Sequence, residues 1–253
     1  MKREGAEFRR WAREEFRSAE LGDARRTLRL VKIAERAAER PGGRISYVFP
    51  AGAERQAAYD FVEADAVDAA AIVDAMGAAA ASRADGLPYA VVAIDGTGLS
   101  LLDKVQDASN EKGFGPVGAV STGVRGLKVM TALAISPSGV PLGIAGMNFW
   151  TRPQSALSLS RAERAKRKLG ESEIGRWATV LEESQERFSR CAPDTKPWFQ
   201  LDRGGDARRL LQYLRDGRYL FTVRARSDRN VGDYDTGQKL SHRSAKKALA
   251  RAT

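Results

Sequence analysis

Over the first 85 residues apolar positions recur every three or four residues, the period of helices with one buried face. "FRRWAREEF" places Phe8, Trp11, Ala12 and Phe16 on one side of a first helix. "GDARRTLRLVKIAERAAER" predicts a second, with Asp23 as its N-cap and Pro41-Gly42-Gly43 as its stop. "GAERQAAYDFVEA" reads as a third. The alanine-rich "VDAAAIVDAMGAAAASRA" reads as a fourth, ending before Gly86-Leu87-Pro88, where a domain boundary is expected.

Beyond that boundary the pattern changes. "YAVVAID" and "GLSLL" are predicted strands, followed by a polar, glycine-rich loop from Asn110 to Gly126. "LKVMTALAIS" and "VPLGIAGMNFW" flank Pro137-Ser138-Gly139, a turn signal between two strands. Two charged helices are expected over about residues 156–190. Then come a strand, "KPWFQLD", a helix, "DARRLLQYL", and a strand, "RYLFTVRA". A helical cap followed by strands with interspersed helices is an α/β (α+β) pattern, with a mixed sheet carrying helices. The boundaries expected are a helical domain over 1–85, a sheet-based core over 86–225 and a basic tail over 226–253.

Composition narrows the class. Of 253 residues, 29% are charged and 43% apolar, which describes a globular chain with an ample core. No apolar stretch reaches the roughly 18 residues a membrane span needs, so no membrane partner is expected. "MKREGAEFRRW" lacks the apolar region of a secretory signal. Cys191 is the one cysteine, which excludes an internal disulfide and fits a reducing cytoplasm. His242 is the one histidine, which removes a histidine-based zinc site. The net charge of +10 falls almost wholly on residues 203–253, with 13 Lys and Arg against 5 Asp. Such a field attracts polyanions, nucleic acid above all.

Three constellations carry candidate chemistry. In the second helix Arg25, Arg29, Lys32, Arg36 and Arg40 fall within about 80° of arc, with Leu30, Ile33, Ala34 and Ala37 turned away. A straight basic stripe suits a helix laid along a phosphate backbone. It equally describes a solvated face paired locally with Glu35 and Glu39. Next, Asp95 and Asp202 each close an apolar run, in "VVAID" and "WFQLD". Neighbouring strands would bring these carboxylates to one edge, where a hard divalent cation such as Mg²⁺ relieves their repulsion. The plainer alternative makes Asp95 a turn residue and Asp202 or Asp206 a helix cap. Finally, "NFWTRP" sets Trp150 and Arg152 at a strand end, to stack on bases or simply to pack.

These pieces occur together in a recognisable order. "WAREEFRSAELGDARRTLRLVKIAERAAERP", "RQAAYDFVEAD", "AIDGTGLSL", "NFWTRP" and "FQLDRGGDARRLLQYL" span about residues 8–225. Together they resemble the DDE cut-and-paste transposases of the insertion-sequence-four group, the group of the transposon-five transposase. The resemblance implies an N-terminal helical domain that binds transposon-end DNA and a ribonuclease H-like catalytic core, incomplete here. It implies metal-dependent hydrolysis of a phosphodiester at the transposon end and strand transfer, with Mg²⁺ as cofactor and Mn²⁺ as substitute. Asp95 matches the first catalytic, metal-binding carboxylate and Asp202 the second. Arg25, Arg26 and Arg29 match the end-binding segment; Lys32, Arg36 and Arg40 continue it, with Trp150, Arg152 and Arg203 as further candidate DNA contacts. A bacterial, nucleoid-associated protein of the cytoplasm is expected.

One departure bears on function. The family's third carboxylate is a glutamate on a later helix, whereas the last glutamate here is Glu186, before Asp202. The two middle positions of "DRGGD" also differ from the acidic and small residues of the family pattern. Downstream, Asp206, Asp216, Asp228, Asp233 and Asp235 offer no convincing substitute for the glutamate. The family dimerises on DNA through a C-terminal region that this sequence lacks. The expectation is a truncated transposase that cleaves little or nothing alone. The alternative is a non-cleaving module that recognises transposon ends and interferes with an intact enzyme. A third reading is a degenerate product with apolar sheet surface left uncovered.

Overall fold

The computed structural model describes residues 2–42, 44–101, 114–118, 123–153, 155–160, 163, 166–225, 231–232 and 239–240. The N-terminal unit is helical: α1 (Lys2–Phe16), α2 (Ala24–Glu39), the single turn α3 (Ile45–Val48), α4 (Gly52–Glu63) and α5 (Ala69–Ser82). Asp23 caps α2 as its sequence predicts, its Oδ1 accepting from Arg25 N at 2.8 Å, and Asp68 caps α5 in the same way. The apolar stripes meet in a small core of Ala19, Leu21, Leu30, Phe61 and Ala75. Val48, Phe49 and Ala58 form a second cluster under the α3 turn.

The sheet begins with β1 (Tyr89–Ser100), continuous through Asp95 and Gly96 where two strands and a turn were expected. It stays extended because β3 (Arg125–Ile135) pairs antiparallel along it, from Val91 with Ile135 to Ser100 with Gly126. Glycine therefore marks no break here. β4 (Pro141–Trp150) lies on the other edge of β3, and the two-residue β2 (Gly115–Pro116) extends that edge. β2 falls within the segment expected to be loop; residues 110–113 and 119–122 lie outside the described residues. β5 (Lys196–Leu201) runs parallel to β1 on its free side, and β6 (Leu220–Val223) runs parallel to β5. Antiparallel β4, β3 and β1, with the short β2 also on β3, and parallel β5 and β6 form a six-stranded mixed sheet, consistent with a ribonuclease H-like core.

Over 156–190, where two helices were expected, the described residues show the end of the short α6 (Ser155–Ser158), helical residues Glu163 and Lys166, a 3-10 turn at Leu169–Glu171 and the long α7 (Glu173–Cys191). Residues 161–162 and 164–165 lie outside the described residues. α8 (Arg208–Asp216) precedes β6. Of the basic tail, the described residues form one antiparallel pairing, β7 (Val231–Gly232) with β8 (Lys239–Leu240). Ala90, Val92, Ile94, Phe199 and Leu201 turn one face of the sheet onto Trp177, Val180, Leu181 and Phe188 of α7 and Leu210 and Leu214 of α8. Each large side chain buried there contributes about 1.5–3 kcal/mol relative to exposure. Among the described residues no helix is long and apolar enough to cross a membrane.

α5 serves both units. One side joins the helical core through Ala75, and the other lies against β4 and α7 at very close range. A Cβ on Gly77 would fall on the Arg187 side chain and 2.6 Å from the Ala145 carbonyl oxygen; one on Gly146 would fall 2.6 Å from Ser184 Oγ. Only glycine lets these backbones approach so closely. Buried Arg187 occupies the seam, donating to Ala145 O at 2.9 Å and Asp74 Oδ1 at 3.1 Å. Asp74 also accepts from Arg190. Partial burial pushes the Asp74 carboxyl up, but the two guanidinium bonds outweigh it and hold it below its ordinary value. Glu15, buried on α1, pairs with Arg83, whose second nitrogen donates to Leu142 O at 2.8 Å. Gly77→Ala is expected to destabilise the chain by about 1–3 kcal/mol through overpacking of this seam. Thermal unfolding checks it, the expected result being a clear drop in Tm.

Candidate nucleic-acid interface and carboxylate pair

The basic stripe of α2 lies on the helix surface left open by the core. Leu30, Val31 and Glu35 are buried on the opposite side, and Glu35 accepts from Arg9 of α1 rather than pairing within the stripe. Arg25 is 89% exposed and bonds Asp23, which holds the Asp23 carboxyl below its ordinary value. Lys32 donates to Glu54 of α4 at 2.5 Å and holds that carboxyl down in the same way. Arg36 pairs with Glu39 at 2.9 Å. Arg26 donates to the Leu21 carbonyl. Arg40 is the C-cap residue, beyond the helix proper; it donates to Tyr47 O at 2.7 Å and stands over the Tyr47 ring. The stripe is therefore both an open cationic surface and a set of local pairs. Ala37, turned away from the arc, is exposed rather than packed in the core.

Between the first turns of α2 and the second half of α4 is a cleft of about 350 Å³. Arg25, Arg26 and Arg29 line it, with Asp23, Asp60 and Phe61. Cations beside the positive end of a capped helix favour an anion. Asp23 and Asp60 temper that field.

The second constellation depends on strand register. β1 and β5 pair in parallel up to Ile94 with Leu201; Asp95 follows within β1, and Asp202 follows just past the end of β5. Ile94 and Leu201 are buried against the helices, and alternation along β1 turns Asp95 to the opposite face. Both aspartates are exposed, so the desolvation expected of a carboxylate inside a buried strand does not arise. Asp95 Oδ1 accepts from Gly96 N at 2.7 Å, within a strand and not at a turn. Asp202 Oδ1 accepts from Gly204 N at 2.7 Å and caps the single 3-10 turn Arg203–Gly205. Asp206, four residues on, is buried. Arg203 is exposed beside Asp202. Two carboxylates following paired strand residues offer an all-oxygen donor set, which fits a hard divalent ion completed by further oxygen ligands. Among the described residues no group of three or more His, Cys, Asp or Glu side chains is placed to hold a metal.

Trp150 and Arg152 are engaged within the protein. Trp150 packs against the main core, its indole Nε1 buried without a hydrogen-bond partner among the described residues. Arg176 of α7 lies over its ring at 5.6 Å and donates to Asn148. Arg152, with a side chain only 17% exposed, is clamped to Glu173 at the start of α7. A cavity of about 200 Å³ opens beside these groups, lined also by Arg167 and Glu171. Nothing in the spacing of the sequence joins residues 150 and 176; only the packing of α7 on β4 does.

Residues 8–67 match the family model described as transposase DNA-binding. The match covers α1 from Phe8 on, the whole of α2, α3 and α4, and every residue of the α2 stripe. It supports a DNA-binding transposase, with DNA as the partner of the helical unit.

Asp23 both caps α2 and neutralises Arg25, so Asp23→Ala is expected to have effects of opposite sign. Tm should fall, while affinity for duplex DNA at low salt should rise. Calorimetry and fluorescence anisotropy on the same preparation check both.

Proposed function

We propose that this chain is a DNA transposase of the metal-dependent cut-and-paste class, whose helical unit holds transposon-end DNA for the carboxylate edge of the sheet. The observation that supports the reading is the parallel register of β1 and β5, which ends with Ile94 beside Leu201 one residue before Asp95 and Asp202, together with a helical unit that matches transposase DNA-binding domains. Arg25, Arg26 and Arg29, continued by Lys32 and Arg36, neutralise phosphates along one strand of the end. Asp95 and Asp202 hold Mg²⁺, or Mn²⁺ in its place. When bound, the ion polarises a phosphodiester and offsets its charge. Gly96 N and Gly204 N fix one oxygen of each carboxylate, so the pair is oriented before any ion arrives.

The described residues supply two carboxylates, not three, at this edge. A second form of the same reading is that this chain binds transposon ends without cutting and competes there with an intact transposase.

Gel-shift binding and nicking, read on one set of samples with a duplex carrying the element's own ends and Mg²⁺ or Mn²⁺, test both forms. Binding without nicking is expected, unchanged in Asp95→Ala. In the Arg25→Ala, Arg29→Ala double variant the salt slope of binding should shrink by about two. Nicking that disappears in Asp95→Ala would contradict the non-cutting form. Absence of salt-dependent binding would contradict the reading as a whole.

A further inference from the structure

We infer that Leu28 is a base-reading residue of α2, whose side chain packs on the C5-methyl group of a thymine in the major groove. The inference rests on the DNA-binding reading of the helical unit and adds to it a determinant of sequence preference.

Leu28 is 67% exposed, the highest value among the large hydrophobic side chains of the described residues. It belongs to neither apolar cluster of the helical unit. At 100° per residue it stands about 60° from Arg25 and about 40° from Lys32, on the margin of the cationic arc. The basic residues of that arc suit phosphates, and a leucine has nothing to offer a phosphate. Phosphate contacts fix position without reading sequence, whereas base edges are read by groups between them. The apolar group that a duplex displays in its major groove is the thymine methyl. α2 also has the right dimensions. Its 16 residues form a rod of about 24 Å, and a helix fits a groove about 12 Å wide. With the cleft-lining Arg25 and Arg29 on one strand's phosphates, Leu28 would face the base edges.

The test uses the full chain and duplexes selected on it from a randomised library, with affinity read by fluorescence anisotropy. Each thymine is replaced in turn by deoxyuridine, which removes only the methyl group. In the wild type, one or two positions should weaken binding by about fourfold, the value of one buried methyl. Leu28→Ala should bind the unmodified duplex with that same loss, be indifferent to deoxyuridine at those positions and keep the wild-type salt slope. The exposed helical site accepts alanine without harm to the fold. Arg29→Ala serves as contrast, lowering the salt slope while keeping the deoxyuridine profile. An unchanged deoxyuridine profile in Leu28→Ala, or no deoxyuridine effect in the wild type, would overturn the assignment. So would equal affinity of wild type and Leu28→Ala, the result expected if Leu28 instead meets another protein. Binding that is weak and salt-independent on every duplex in the wild type would show that the DNA-binding reading itself has failed.

Discussion

The candidate chemistry of this protein depends on one parallel strand pairing. Ile94 lies beside Leu201, and both are locked into the core against α7 and α8. A slip of one residue would expose that apolar face and turn one aspartate inward, so burial of the core fixes the relation of Asp95 to Asp202. The carboxylates themselves contribute little to the fold. They are exposed, and each is held by a backbone N–H one or two residues along the chain. The hydrophobic side of the sheet sets the register, and one carboxylate comes directly after the last residue that each strand gives to this pairing.

The helical unit is joined to that sheet by a rigid seam. α5 approaches β4 closely enough to require Gly77, and buried Arg187 ties it to the Ala145 carbonyl. Arg83 links Glu15 of α1 to the Leu142 carbonyl of β4. A buried charge that loses its partner is strongly destabilising, so these ions hold the elements in one arrangement.

Much of this was legible in the sequence, for identifiable reasons. The helical period located the four longer helices of the N-terminal unit and the Asp23 cap, because both are local properties of the chain. Apolar runs ending in aspartate located β1 and β5. The reading went astray where tertiary pairing overrode local signals. Asp95 reads as a turn residue in one alternative, yet β3 holds it and Gly96 extended. The partners of the stripe were legible only in part: Glu39 is near in sequence, but Lys32 meets Glu54 on another helix and Glu35 turns away to Arg9. Arg187 and Asp74 are 113 residues apart and share no pattern that would join them. Trp150 read as an aromatic end-group, and the arginine over its ring comes from α7, beyond any local window.

A titration of Mn²⁺ followed by electron paramagnetic resonance tests most directly whether Asp95 and Asp202 form one site. The wild type, Asp95→Asn, Asp202→Asn and the double variant are compared, with Mg²⁺ as competitor. If the two carboxylates share an ion, each single substitution removes most of the Mg²⁺-competed binding and the double variant loses little more. Independent, additive losses would contradict the account, as would a wild type that binds no Mn²⁺ displaceable by Mg²⁺.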